Sequence, residues 1–92
     1  MKVTMLELEN LVLRLNTLTD SPRVPYAKDV GGRYSANIGN YHLSGAYGGW
    51  ALHRMDNENG GIRDVFQVGH VSKSALRDLL LAFMLGITER GK

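Results

Sequence analysis

From Tyr41 to Met55 the side chains alternate in a period of two around Gly48 and Gly49, a pattern that few folds accommodate. The larger side chains fall on one face of the expected strands: Tyr41, Leu43, Tyr47, Trp50 and Leu52. The smaller or more polar ones fall on the other face: His42, Ser44, Ala46, Ala51 and His53. A two-residue loop and a four-residue loop both preserve this division, because the face of a strand residue depends only on parity. The segment is therefore predicted to be a β-hairpin whose larger side chains meet a core.

Residues 62–68 are predicted to add a third strand, which completes an antiparallel meander over residues 41–68. A loop of three or five residues before this strand puts Arg54 opposite Asp64 and joins opposite charges. The same register places Leu52 opposite Phe66, which pairs two apolar side chains. A two-residue turn would set Leu52 against a glutamine instead, so we prefer the first register.

The glycine pairs at 48–49 and 60–61 are interpreted as turn residues of this meander. Phosphate-binding glycine loops open a helix and are often followed by a Lys-Ser or Lys-Thr step, and neither pair has that context. In the second turn, Gly60 or Gly61 is expected to hold a left-handed bulge position, which only glycine enters at low cost.

The first helix is predicted over residues 1–18. Thr4 and Glu7 have the spacing of a capping box at its start. Residues 19–40 contain both prolines and are expected to form a long loop, which begins where proline prevents the helix from continuing. A short strand near residues 34–38 is the alternative within this loop.

The second helix is predicted over residues 72–87, with Ser72 as its N-cap and its end near Gly86. Residues 88–92 are expected to be a frayed tail. The chain is thus predicted to be one α+β domain over residues 1–92, with the order helix, three-stranded antiparallel meander, helix (αβββα). We expect two layers, with both helices on one face of the sheet.

Composition limits the classes of function. The 92 residues include no cysteine, which excludes disulfides and thiolate metal sites and is typical of an intracellular protein. The net charge is +2, and the basic residues form no run. An acidic amphipathic segment follows Met1 where a signal peptide would be apolar, and the longest apolar run, at 79–85, is too short to span a bilayer. The chain is expected to be soluble and cytoplasmic.

Two resemblances bear on the fold. The order of elements, and Lys73 in "GHVSKSALRDLLLAFML", resemble the double-stranded RNA-binding domain, in which lysines at this helix start contact phosphates. The rest of that family's basic cluster and its histidine-containing loop have no counterpart here. The combination of "LSGAYGGW", "GGIRDVF" and "LLLAFMLGI", over residues 41–87, is similar to small uncharacterised proteins of gut-bacterial mobile elements and phages. That group implies a coherent fold and no particular activity.

Two surfaces are candidates for binding. Cations and aromatic rings suited to phosphate contact and base stacking occur in the 19–40 loop and at the second helix: Arg23, Tyr26, Lys28, Arg33, Tyr34, Lys73 and Arg77. Apolar residues outside the expected core stripe of the second helix could instead form a self-association patch: Leu81, Met84 and Leu85. The alternative for the tyrosines is packing against the sheet edge, and the alternative for the apolar patch is burial under the first helix.

Catalytic and metal sites find little support in the sequence. His42 and His53 share the outward face and stand directly opposite each other if the hairpin loop has four residues. Two imidazoles are too few for a zinc site, and His70 is expected at the far end of the third strand. No nucleophile-elbow pattern occurs, and the expected faces favour no grouping of serine, histidine and aspartate. We therefore predict a non-enzymatic binding module with no cofactor, no metal and no small-molecule substrate, whose partner is a protein or a second copy of itself. Nucleic-acid binding is the alternative.

Overall fold

The computed structural model describes residues 2–90 and has the α+β class expected from the sequence. Its elements in chain order are α1 (Met5–Leu18), β1 (Tyr26–Lys28), β2 (Tyr34–Ala36), β3 (Tyr41–Ala46), β4 (Gly49–Met55), β5 (Ile62–Asp64) and α2 (Lys73–Arg90). The strands form two antiparallel sheets, one of order β3-β4-β5 and one of β1-β2. The predicted order αβββα is thus incomplete, because a second hairpin lies between α1 and the larger sheet.

The helix α1 begins at Met5, after the expected cap Thr4, so the predicted range 1–18 is too long at its start. The Thr4 hydroxyl accepts a hydrogen bond from the Glu7 backbone N–H at 3.2 Å, which satisfies one of the free donors of the first turn. The buried residues recur at helical spacing: Leu8, Leu11, Val12, Leu15 and Asn16. Past Leu18 the chain turns away, and Asp20 has a positive φ of 54°.

The hairpin of β3 and β4 turns at Tyr47 and Gly48, with φ angles of 54° and 75°. Positive φ at both central positions is the geometry that matches the twist of the flanking strands. The pair at the mouth of this turn is Ala46 with Gly49. His42 therefore stands opposite His53, in the register that the four-residue loop predicted.

The predicted register between β4 and β5 is wrong by one residue. Arg54 stands opposite Arg63, and His53 stands opposite Asp64. The cause is the loop at 57–60, in which the Asn57 side-chain oxygen accepts from two backbone N–H groups and closes four residues rather than three or five. The expected pairing of Arg54 with Asp64 is lost, and the Arg54 guanidinium instead lies 5.4 Å from the centre of the Tyr41 ring.

The strand predicted over residues 62–68 is only three residues long. After Asp64 the chain forms a loop, which the Asp64 carboxylate holds by accepting from the N–H groups of Gln67 at 3.2 Å and Gly69 at 3.0 Å. The chain then returns to the edge of β4, where Trp50 and Val71 exchange two backbone hydrogen bonds of 2.7 and 2.9 Å. This loop brings the following histidine, His70, back over the sheet.

The helix α2 begins as expected and ends later than expected. The Ser72 hydroxyl accepts from the Ala75 N–H at 3.1 Å, so Ser72 is confirmed as its N-terminal capping group. The helix passes through Gly86 and continues to Arg90, so the predicted end at residue 87 is wrong. A glycine within a helix costs only ~1 kcal/mol relative to alanine. The next residue, Ile87, packs against the main hydrophobic cluster.

The segment predicted as a long loop forms the second hairpin. The alternative of a short strand is confirmed by β2, while its partner β1 was not predicted. Asn40 is fully buried and holds this segment in position, because its side-chain N–H donates to the Pro22 carbonyl at 2.7 Å. The Ala36 N–H donates to the Glu58 carbonyl at 3.1 Å, so the hairpin sits at the Met55 end of β4.

Residues from both helices and the larger sheet form the main hydrophobic cluster. Its buried members are Val3, Leu8, Leu11, Val12, Leu15, Tyr41, Leu52, Leu76, Leu80 and Met84. The two helices run in the same direction. Glu7 and Arg77 near their N-termini line one depression, and Leu18 and Thr88 near their C-termini line another.

Candidate functional site

An apolar groove of about 600 Å³ lies between the C-terminal halves of α1 and α2. Its lining residues are Leu13, Arg14, Thr17, Leu18, Leu81, Met84, Leu85 and Thr88. Four of these are leucines with large exposed fractions: 48% for Leu13, 43% for Leu18, 41% for Leu81 and 62% for Leu85. Clustered exposed leucines on neighbouring helices are typical of an interaction surface rather than of a solvated face. We call these four residues the helical groove leucines.

The structure corrects one residue of the predicted self-association patch. Met84 is only 7% exposed and belongs to the main hydrophobic cluster, whereas it was expected to lie outside the core stripe. Its side chain reaches the core because α1 and α2 pack side by side, so that positions flanking the stripe of α2 are covered by α1. Leu81 and Leu85 are exposed as expected, and Leu13 and Leu18 of α1 join them.

Five of the residues predicted to contact nucleic acid lie in or next to the β1-β2 hairpin. Three of them lie in its strands, and two lie just outside. Tyr26, Lys28 and Tyr34 share one face, because Tyr26 pairs with Ala36 and Lys28 pairs with Tyr34. The Lys28 ammonium lies 5.7 Å from the centre of the Tyr34 ring. Tyr34 is 70% exposed. The neighbouring cations Arg23 and Arg33 are also exposed.

The structure does not bring the two parts of the predicted nucleic-acid surface together. Lys73 and Arg77 follow Val71, which pairs with Trp50 at the start of β4. The hairpin instead attaches at Met55, at the end of that strand. Five residues of strand separate these positions, or about 17 Å. Arg77 also lies 4.0 Å from the Asp78 carboxylate, which reduces its local positive charge.

Three histidines form a row on the outward face of the larger sheet. The ring centres of His42 and His53 are 5.9 Å apart, and those of His53 and His70 are 6.0 Å apart. Tyr47 packs edge-on against His70 at 5.9 Å, and the Ser44 hydroxyl lies 3.2 Å from a nitrogen of the same ring. The loop after β5 is what carries His70 to this face.

Two histidines of the row, His42 and His53, have lowered pKa values, mainly because they are partly buried. Burial lowers the pKa of His42, and the neighbouring charge of His53 lowers it further. Burial is also the main cause that lowers the pKa of His53, with His70 adding to the effect and the Asp64 carboxylate opposing it. His42 and His53 are therefore more neutral near pH 6 than solvated imidazoles would be.

Within residues 2–90 no three histidine or acidic side chains come together in the geometry of a metal site. The row is extended along the sheet, so its members do not converge on one point. What it presents is a strip of aromatic and imidazole edges that can accept and donate hydrogen bonds.

Three residues with structural roles went unrecognised in the sequence: Asn16, Asn40 and Asp64. Asn16 is 2% exposed and bonds to the backbone of Tyr41 in both directions at 2.9 Å. A signal for Asn16 was present, because it occupies a core position of the helical stripe next to Leu15, where a polar residue needs a partner. Asn40 lies in a segment without periodicity and gives no comparable signal. Asp64 was expected to pair with Arg54, and its hydrogen bonds to the loop that follows were not predicted.

Comparison with family models, curated proteins and solved structures found no match for the chain. Within residues 2–90 no helix has both the length and the apolar content to cross a bilayer.

Proposed function

We propose that the chain is a small, cytoplasmic, non-enzymatic protein-binding module that pairs with a second copy of itself through the groove between α1 and α2. The observation that carries the proposal is the exposure of the four helical groove leucines, Leu13, Leu18, Leu81 and Leu85, around one concavity. Removing such side chains from water contributes roughly 25 cal/mol for each Å² of apolar area buried, against which stands the entropic cost of association.

The exposed surface area of the chain is larger than expected for a folded monomer of its mass, which supports the proposal that part of this surface binds a partner. The chain exposes 6169 Å². A folded monomer of 10.2 kDa is expected to expose roughly 5,300 Å². The excess, roughly 850 Å², is close to the ~800 Å² that each partner buries in an interface of standard size. The β1-β2 hairpin contributes part of this excess, and the helical groove leucines contribute an apolar part.

The layout of the helices favours a symmetric pair. We infer that both helices cover the same face of the β3-β4-β5 sheet, because the cluster that joins them contains Tyr41 and Leu52, which share a face by register. The outer side of the helix layer is then uncovered. A twofold axis over the groove lets each copy place its leucines against those of the other, as an isologous interface requires.

The test is the mass of the protein over a concentration series, measured by sedimentation equilibrium. We expect the wild-type mass to rise from 10.2 kDa toward twice that value. Leu85→Glu should hold the chain at the monomer mass with its circular dichroism unchanged, because residue 85 is exposed. Leu6→Glu is the matched control, since Leu6 is 65% exposed on α1 and does not line the groove. A wild-type protein that stays monomeric at every concentration would refute the pairing.

Nucleic-acid binding by the β1-β2 hairpin is the second candidate. It is favoured by the pairing of Lys28 with a highly exposed tyrosine ring, which combines a phosphate contact with a stacking platform. Fluorescence anisotropy with labelled duplex and single-stranded probes at ~50 and ~200 mM salt tests it. Tyr34→Ala should weaken binding, and Lys73→Glu, at the other end of the sheet, should change it little. Absence of binding at the lower salt concentration contradicts this candidate.

A further inference from the structure

The backbone of β3 presents two residues outward at the edge of the larger sheet. Tyr41 directs its N–H and C=O away from β4, because both groups bond to the side chain of Asn16. Strand residues alternate, so the groups of His42 and Ser44 face β4, and those of Leu43 and Gly45 face outward. The partner strand agrees, since Leu52, opposite Leu43, directs its carbonyl away from β3 toward Val65.

The outward groups of Leu43 and Gly45 have no hydrogen-bond partner among residues 2–90. Two N–H and two C=O groups therefore stand in the spacing of a strand edge that another strand can join. Such an edge is a template for an extended peptide, which gains its main-chain hydrogen bonds from it.

A groove of about 510 Å³ runs along this edge, between α1 and β3. Apolar side chains line much of it: Met5, Val12, Leu13, Leu43 and Trp50. On the opposite side from α1, the groove is bounded by Arg23 and Pro25. The apolar lining suits the side chains of an extended peptide that point in from every second position.

Asn16 marks the end of the space for an added strand. Its carboxamide carries the same donor and acceptor as a peptide unit, and it makes with Tyr41 the two bonds that a neighbouring strand would make. A peptide lying beside Leu43 and Gly45 must therefore terminate before Tyr41. Beyond that point the edge is already occupied.

Two charged side chains line the groove, and one of them lies at its Tyr41 end. Arg23 lies at the Tyr41 end, beside Asn40, and Glu9 lies seven residues before Asn16 on α1, about 10 Å toward Gly45. Neither side chain forms a salt bridge with another described residue. An antiparallel peptide would run from the Gly45 end to the Tyr41 end, and would bring its C-terminal carboxylate to Arg23.

We propose that this groove binds the C-terminal end of an extended peptide, which joins the larger sheet as an antiparallel strand beside β3 and places its terminal carboxylate at Arg23. The residues opposite Leu43 and Gly45 are apolar, because their side chains point into the groove. Of the four helical groove leucines, Leu13 also lines this site and the other three do not. Binding of the peptide therefore does not depend on self-association.

A second copy of the chain does not fit this position through its own β3. In each copy residues of α1, with Arg23 and Pro25, line the groove beside β3, so two β3 edges at the ~4.8 Å spacing of paired strands would bring these segments of both copies together. A free chain end has no such flanking segments, which is why a terminal peptide is the occupant.

The register defines a test peptide, acetyl-Lys-Val-Thr-Val with a free C-terminal carboxylate. Its valines stand opposite Gly45 and Leu43 and point into the groove, whereas its lysine and threonine point to the other face of the sheet. Isothermal titration should show one binding site. Amidation of the C-terminus should weaken binding about tenfold, since it removes the charge that Arg23 recognises. The variant Arg23→Gln should weaken the free-acid peptide by the same factor and leave the amidated one unchanged, whereas Arg14→Gln is the matched control.

Backbone methylation separates strand addition from nonspecific binding. Methylation of the N–H of either valine removes a donor that bonds to β3 and should weaken binding about tenfold. Methylation of the threonine N–H, which points away from β3, should have little effect. Equal losses for both kinds of peptide would overturn the proposal, as would the absence of binding by the parent peptide.

Amide hydrogen exchange gives an independent readout. In the free protein the N–H groups of Leu43 and Gly45 should exchange rapidly, while those of His42 and Ser44 are protected by β4. The parent peptide should protect Leu43 and Gly45 selectively. If these two amides are already protected in the monomer, the edge is not available and the proposal is wrong.

Discussion

The side-chain amide of Asn16 closes a pair of hydrogen bonds with the backbone of Tyr41, donating to its carbonyl and accepting from its N–H, both at 2.9 Å. The helix α1 is thereby joined to the edge of β3 by groups that are sealed from water. The contact fixes the position of the helix along the strand, which burial of leucines alone does not specify, because apolar contacts are not directional.

Asn16→Ala should destabilise the protein by about 2–3 kcal/mol, because it leaves a buried N–H and a buried C=O without partners. Urea unfolding followed by circular dichroism measures the change in free energy of unfolding. The matched control is Asn10→Ala, which alters an exposed asparagine on the same helix and should be neutral or slightly stabilising. Equal effects of the two substitutions would contradict the role given to the pair of bonds.

Gly45→Ala should destabilise the sheet by about 1–3 kcal/mol. A Cβ atom at residue 45 would lie 2.8 Å from the ring of Trp50, so the indole would have to move. Trp50 is the single tryptophan of the chain, and its fluorescence maximum should shift in the variant. An unchanged emission spectrum with unchanged stability would show that the ring does not pack on this glycine.

Gly86→Ala should have the opposite effect and stabilise the protein by about 0.5–1 kcal/mol. Gly86 lies within α2, and a Cβ atom there would meet no other atom within 4 Å. Thermal unfolding should show a raised midpoint. A lowered midpoint would indicate that α2 ends before residue 86, as the glycine itself had suggested.

Asp64→Ala should destabilise the loop at residues 65–69 by about 1–3 kcal/mol, because the N–H groups of Gln67 and Gly69 lose their charged acceptor. Faster exchange of these two amides is the direct measurement. Asp78→Ala is the control, since the Asp78 side chain is 74% exposed and its contact with Arg77 is a surface ion pair of small worth.

Stability should fall as the pH is lowered from 7.5 to 5.5. The pKa values of His42 and His53 are lowered on folding, mainly by burial, so the unfolded chain binds protons more readily than the folded one. Their contribution is complete above the ordinary pKa of 6.5 and is lost as the pH falls through the lowered folded values. His70 and Asp64 also face His53. The charge of His70 lowers the pKa of His53 further, whereas the Asp64 carboxylate raises it.

The melting temperature over this pH range measures that effect. The double variant His42→Gln with His53→Gln should show a flatter dependence than the wild type. A wild-type protein that is equally stable at both ends of the range would contradict the assignment.

The parts of the fold that the sequence predicted are those governed by local patterns. Thr4 and Ser72 were recognised as caps because capping needs only a hydroxyl at a fixed distance from a helical run. The faces of β3 and β4 followed from parity alone. The exact pairing of His42 with His53 needed the turn geometry at Tyr47, and tyrosine gives no hint of a positive φ.

The errors arose where a single side chain reorganises the backbone. The Asn57 side chain closes a four-residue loop and shifts the pairing of β5 by one, which moves Asp64 to the histidine face. The Asp64 carboxylate then accepts hydrogen bonds from the loop that follows, so β5 stops at residue 64 and the loop places His70 beside His53. Neither event leaves a trace in hydrophobic periodicity, so the histidine row could not be foreseen beyond its first two members.

The predicted patch on α2 failed at Met84 for a different reason. The periodicity of one helix defines a stripe, but the width of the buried face depends on what packs beside it. The parallel neighbour α1 widens that face by one position. The sequence of α2 alone carries no information on the direction of its neighbour.

The β1-β2 hairpin contributes no residue to the main hydrophobic cluster of the described chain, although it displays Tyr26, Lys28 and Tyr34. A substitution or an insertion at its exposed tip is therefore expected to leave the main cluster intact. The residues that keep this chain folded and the residues that the hairpin displays to a partner are separate sets, so a change of binding preference need not cost stability.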